Sequence, residues 1–163
     1  MNKSQLLFLV CLVLLSCQPA QTQRLEVVKF EALQDLISRD SERIEVINFW
    51  ATWCKPCIKE LPYFQELHDE RKEVNVTLVS LDFVEHFEEK VIPFVKKRSL
   101  TPDILLLDEI DYNSWIDKVD PGWSGAIPAT LVINHQTGKR KFVESELRKD
   151  EIEAIVRDIV DQN

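Results

Sequence analysis

Ile44-Glu45-Val46-Ile47-Asn48-Phe49-Trp50-Ala51-Thr52-Trp53-Cys54-Lys55-Pro56-Cys57 is the stretch that decides how this chain folds. Its first half is an apolar run rich in β-branched and aromatic residues, the composition of a central strand buried on both faces. Its second half sets two cysteines three residues apart, with Pro56 where a helix can begin without an N–H to spare. Ile58, Leu61, Phe64 and Leu67 then follow on one helical side, so the cysteines open a helix directly after the strand. Pro62 falls inside that helix and predicts a kink.

A C-x-x-C pair in that position is a redox signature with a physical basis. Residues three apart at a helix start bring their sulfurs close enough for a Cys54–Cys57 disulfide. The first sulfur lies near unpaired backbone N–H groups and the positive end of the helix dipole. Both favour thiolate, so its pKa is expected below the free value of about 8.5. Cys54 is therefore the expected nucleophile and Cys57, one turn inward, the resolving thiol. The competing reading is half a zinc site, which needs two more ligands. Beyond residue 17 the chain has no other cysteine, and His68, His86 and His135 are isolated in sequence. No metal or other cofactor is expected.

Outward from this stretch, 25–28 reads as an opening strand and Phe30, Leu33, Leu36 and Ile37 as a short amphipathic helix. Residues 74–81 form a second central strand, 87–97 a helix interrupted at Pro93, 104–107 a short strand and 112–119 a short helix. Two strands, 129–133 and 141–143, meet at a turn over Gln136-Thr137-Gly138. A last helix is opened by Asp150 with Glu153 three residues on, a capping-box pair. Helices alternating with apolar strands predict an α/β domain with helices on both faces of the sheet, and the late hairpin makes that sheet mixed.

The 163 residues have room for one ordinary domain, and 45% hydrophobic with 29% charged residues is a globular balance. A net charge of −8 excludes a nucleic-acid surface and disfavours docking on anionic headgroups. The amino terminus stands apart. Lys3 is followed by an unbroken apolar run over 6–15, far short of the roughly 20 residues that span a bilayer, so it reads as a secretory signal. Leu14-Leu15-Ser16-Cys17 resembles the lipobox of bacterial lipoproteins. That resemblance implies a signal over 1–17, diacylglycerol on Cys17, a tether over 18–24 and the domain over 25–163. Ordinary cleavage that discards Cys17 is the alternative. Export, with a lipid anchor in the inner or outer membrane and the domain facing the periplasm, is the expectation.

Taken together, 49–57, then Lys59-Glu60-Leu61-Pro62, then Ile127-Pro128-Ala129-Thr130 resemble the TlpA/ResA-type thiol-disulfide oxidoreductases. These are membrane-tethered thioredoxin relatives that work outside the cytoplasm, and the resemblance runs from Leu25 onward. It implies a thioredoxin-like fold with an extra helix and strand over 87–123 inserted before a cis-proline loop. The cis Ile127–Pro128 bond would leave the Ile127 backbone free to pair with a substrate beside the sulfurs. Thioredoxin carries a buried aspartate where this chain has Asn48, and Glu60 would take over proton handling for Cys57. A solvated glutamate is the alternative for Glu60. Trp53 is expected to flank the reactive sulfur, and Trp123 either borders the substrate groove or packs. The implied partners are disulfide-bearing extracytoplasmic proteins and a membrane thiol carrier that donates electrons. Two other readings stay open: a thiol-dependent peroxidase, and a non-catalytic lipoprotein that only binds partners.

Overall fold

Strands β1 (Leu25–Val28), β2 (Ile44–Trp50), β3 (Val74–Ser80), β4 (Asp103–Leu107), β5 (Ala129–Asn134) and β6 (Lys139–Val143) form one sheet in the order β1-β4-β3-β2-β5-β6. Helices α1 (Phe30–Ser38), α2 (Lys55–Glu70), α3 (Ile92–Arg98), α4 (Ile116–Val119) and α5 (Lys149–Asp161) complete the computed structural model, which describes residues 23–161. The expected signal, Cys11, Cys17 and the tether up to residue 22 lie outside the described residues. β1, β4, β3 and β2 are mutually parallel, β5 runs antiparallel to β2, and β6 antiparallel to β5. The sheet is thus mixed, as the late hairpin predicts.

All seven residues of β2 are buried, because α-helices cover both faces of the sheet there. The two-residue period of a strand sorts its side chains. Val46 and Trp50 join a core with Leu61 and Phe64 of α2 and Ile152 and Val156 of α5. Ile47 and Phe49 join the opposite core with Leu33 of α1, Trp115 and Trp123. Asn48 shares the parity of Val46 and Trp50 and so faces α2. The parallel strands all start at one end of the sheet. There Gln23 Nε2 donates to the carbonyls of Leu100 at 2.9 Å and Pro102 at 2.7 Å. At the other end, one strand length or about 23 Å away, β2 gives way to α2.

Local differences from the sequence reading have simple causes. Pro62 lies inside α2, which stays one helix from Lys55 to Glu70 with Leu61, Phe64 and Leu67 anchored in the core. Over 84–98 the chain makes a 3₁₀ turn (Val84–His86), a wide π turn (Phe87–Val91) and then α3. Pro93 starts this helix and does not interrupt it, since a first-turn residue has no intrahelical N–H bond to lose. The 112–119 segment divides into a 3₁₀ turn (Tyr112–Ser114) and α4. α5 begins one residue before Asp150, and it is Glu151 that reaches back, accepting the Arg148 N–H at 2.8 Å. Glu153 pairs along the helix with Lys149 and Arg157. Gly125 is required by its position: its φ is +90°, and a Cβ there would sit 3.0 Å from Ile116 Cδ1.

Candidate active site

The chain leaving β2 must turn sharply before a helix can start, and a buried carboxylate enforces the turn. Asp82, just past β3, accepts the Thr52 N–H at 2.9 Å and the Thr52 hydroxyl at 2.6 Å. It also accepts the Ser80 hydroxyl at 2.8 Å. The Cys54 N–H closes the turn on the Ala51 carbonyl at 3.1 Å. Cys54 thereby becomes the N-cap of α2, and its sulfur accepts the Cys57 N–H at 3.3 Å. An N-cap sulfur in this place satisfies one of the orphan donors of the first turn.

Cys54 and Cys57 are joined as a disulfide with their Cα atoms 5.3 Å apart. Cys54 keeps 5% of its surface exposed and Cys57 none, so an incoming group can reach the outer sulfur alone. The Ile127–Pro128 bond is cis, and the Ile127 carbonyl oxygen lies 3.8 Å from Cys54 Sγ. That closeness follows from sheet register, because Ala129 and Thr130 of β5 pair with Phe49 and Asn48 of β2. Trp53, next to Cys54 in the chain, is 64% exposed.

Below the disulfide, one turn further along α2, Glu60 is fully buried. Asn48 Nδ2 donates to its Oε1 at 2.7 Å and the Leu147 N–H donates to its Oε2 at 2.7 Å. Asn48 Nδ2 also reaches Thr130 Oγ1 at 3.1 Å. Burial pushes the Glu60 carboxyl up to about 7, against the two hydrogen bonds that pull it down, with Glu146 adding to the rise. Glu60 is therefore no solvated helix glutamate. It is a carboxyl that gains and loses its proton near neutrality, three residues past Cys57 on the same helix.

The loop that carries Ile127 is braced from two sides. Trp123 packs on Phe49 with ring centroids 4.5 Å apart, and its Nε1 donates to the Ala126 carbonyl at 2.8 Å. Packing, with a brace on the loop, is thus the role of Trp123. Glu144, after β6, accepts the Ser124 N–H at 3.0 Å, the Ala126 N–H at 3.1 Å and the Ser124 hydroxyl. These bonds hold its carboxyl below the usual range. Because the folded-state value is depressed, the support is present at neutral pH and is lost as pH falls through it. Glu144→Ala is expected to cost about 1 kcal/mol at pH 7 and much less near pH 3, as read by urea unfolding at the two pH values. An equal cost at both would deny the carboxylate that role.

The sequence points to Cys54, Cys57, Glu60, Trp53, Ile127 and Pro128 as candidates, and the fold brings these positions to one end of the sheet. The sequence does not single out Asp82, Glu144 or the Leu147 N–H. Of these only Asp82 carried a local signal, a polar Ser80-Leu81-Asp82 ending on an otherwise apolar strand. Among the described residues no group of three or more His, Cys, Asp or Glu could hold a metal ion, and no helix is long and apolar enough to cross a membrane. What the site can do is two-electron chemistry: a dithiol that closes to a disulfide above a carboxyl poised near neutral pH.

Comparison with known proteins agrees with that chemistry. The AhpC/TSA family profile matches residues 19–139. The chain is 27% identical over 179 aligned positions to the thiol-disulfide oxidoreductase ResA of Bacillus cereus, covering 98% of this chain and 99% of that protein. To the ResA of Bacillus thuringiensis it is 31% identical over 119 positions, covering 61% of this chain and 68% of the relative. Among solved structures, a thioredoxin-related protein from Neisseria meningitidis superposes with a TM-score of 0.62 at 22% identity, covering 76% of this chain and 90% of that one. That last likeness is one of fold.

Proposed function

The chain belongs to the AhpC/TSA family as a homologue of its thiol-disulfide oxidoreductases, and from that premise we propose that it exchanges disulfides with exported proteins through Cys54 and Cys57. The observation that carries this reading is the Cys54–Cys57 disulfide at the tip of α2, with only the outer sulfur approachable. The N–H of Cys57 and the open first turn of α2 favour a negative charge on Cys54 once the pair is reduced.

In the proposed cycle the Cys54 thiolate attacks a partner disulfide. One partner sulfur leaves as thiolate and the other stays bonded to Cys54, with the partner backbone held against Ile127 and Pro128 and flanked by Trp53. Cys57 gives its proton to the Glu60 carboxylate and attacks Cys54 Sγ. The Cys54–Cys57 bond closes, the second partner thiolate departs, and two electrons have moved from this chain to its partner. A dithiol must then reduce the pair again, and a membrane thiol carrier is the proposed donor.

The charged start, apolar run and Cys17 support export with residues 1–17 as signal, lipid on Cys17, a tether over 18–24 and the domain over 25–163. On this reading the domain works facing the periplasm from an anchor in the inner or outer membrane. The test is direct. The purified chain, reduced with dithiothreitol, should reduce insulin disulfides and leave hydroperoxides untouched. In cells, Cys57→Ser should accumulate mixed disulfides through Cys54 that mass spectrometry identifies. A chain that consumes peroxide and ignores insulin would overturn the proposal.

A further inference from the structure

Among the described residues seven large hydrophobic side chains stand out in solvent, and five of them, Trp53, Phe83, Val84, Ile110 and Tyr112, border two adjoining hollows. The first hollow, about 350 Å³, has Trp53, Ile116 and Ile127 in its wall, and the Ile127 carbonyl oxygen is the one 3.8 Å from Cys54 Sγ. The second, about 130 Å³, is walled by Phe83, Val84 and Ile110. Leu81 and Tyr112 line both, so the two are one groove that starts at Trp53 and Ile127, the neighbours of Cys54, and runs outward along the loops after β3 and β4. Ile110 is 87% exposed and Phe83, with only the edge of the His86 ring 6.0 Å away among the ring contacts of the described residues, 65%, a cost in water.

The far hollow is also charged, and with one sign. Asp82, Glu85, Asp108 and Glu109 line it, and no lysine or arginine lines either hollow. Asp82 is engaged by Thr52 and Ser80, Asp108 pairs with Lys29 at 3.0 Å, and Glu109 accepts the Phe30 N–H at 3.1 Å. One cation against four carboxylates leaves the rim negative. An acidic rim repels an anionic lipid surface, and it repels a second copy of a chain whose net charge is −8. What it attracts is a cation.

Resting on the disulfide-exchange reading, we infer that this groove selects clients: it takes an extended polypeptide segment whose apolar side chains are followed by lysine or arginine, next to the client's disulfide. Apolar side chains fill the hollows, the basic residues meet Glu85 and its neighbours, and the disulfide lies at Cys54. The chemistry is the exchange already described, with two electrons passing from the reduced pair to the client and dithiothreitol restoring the pair in the assay. The groove adds proximity and a choice among disulfides.

The test uses the reduced full chain and three oxidants: neutral 2-hydroxyethyl disulfide, and two synthetic peptides that share one cystine ring but carry a Leu-Lys-Leu-Arg or a Leu-Glu-Leu-Glu tail. Stopped-flow tryptophan fluorescence gives the second-order rate constants. At about 20 mM salt the basic peptide should react about tenfold faster than the acidic one, and at about 0.5 M most of that advantage should disappear. Glu85→Lys should lower the basic-to-acidic ratio at least fivefold, and Ile110→Ser should lower the rates of both peptides relative to the neutral disulfide. Asp40→Lys, the same charge change at the opposite end of the sheet, should leave the ratios at wild-type values. Equal peptide rates with brisk exchange on the neutral disulfide would overturn the groove alone. No exchange with any of the three would overturn the redox reading and the groove with it.

Discussion

Replacing Cys54 with serine is expected to lower insulin-disulfide reduction by at least about a thousandfold, while Cys57→Ser leaves the first attack at near wild-type rate and stops the cycle there. The asymmetry follows from access and charge. Cys57 has no exposed surface, so it cannot stand in for Cys54 against a protein substrate. A serine hydroxyl at neutral pH offers almost no oxyanion, whereas even an unactivated cysteine is a few per cent thiolate. Loss of Cys57 leaves the Cys54 sulfur at the helix tip and removes only the group that resolves the mixed disulfide. The check is a pair of single-turnover experiments with rapid acid quench, one reading partner thiol released and the other reading covalent adduct. Equal loss in both variants, with no adduct from Cys57→Ser, would mean that the two sulfurs are not ordered as attacker and resolver.

Glu60→Gln carries the second large expectation, and it has two parts. In the unfolded chain this carboxyl ionises near the ordinary value of about 4.3. In the fold, burial holds it near 7. Between those values the folded chain keeps a proton that the unfolded chain has shed. Its contribution is therefore most favourable at the acid end of the window and declines as pH rises through it. Above pH 7 the charged, enclosed carboxylate costs about 3 kcal/mol relative to pH 4. Glutamine carries no such charge, so the variant should gain on the wild type between pH 5 and pH 8 by about 2.5 kcal/mol; the roughly 1 kcal/mol lost to an imperfect hydrogen bond to Leu147 or Asn48 is the same at both pH values and drops out of the difference. Urea midpoints at the two pH values decide this. Activity should move the other way. Without a group to accept the Cys57 proton, resolution of the mixed disulfide should slow about a hundredfold at pH 7 and lose its inflection near that pH. Parallel stability curves, or an unchanged inflection, would relieve Glu60 of the role.

How far the chain could be read in advance depended on the distance over which each feature is encoded. The strand over Ile44 to Trp50, the cysteines and the start of α2 lie within one run of residues, and their pattern is local. Glu60 was legible as a candidate because three residues on a helix are one turn, but its burial was not, since Leu147, which caps it, comes 87 residues later. Asn48 was visible as the occupant of an acid's place. That its amide would hold Glu60 depended on strand parity and on how α2 lies across β2. Asp82 and Glu144 fix the two loops that bracket the sulfur through contacts 30 and 18–20 residues apart, and no periodicity announces such bonds. Pro93 was misread because a proline looks the same wherever it stands in a helical pattern. Only the preceding π turn makes it a first-turn residue.

The shared starting end of the parallel strands has a geometrical corollary. The chain enters the sheet at Gln23 and Arg24, beside the first residues of β4, and the cysteines stand beyond the last residues of β2. Entry point and chemistry occupy opposite poles. An attachment upstream of Gln23 would therefore meet the domain at the pole farthest from the sulfur pair.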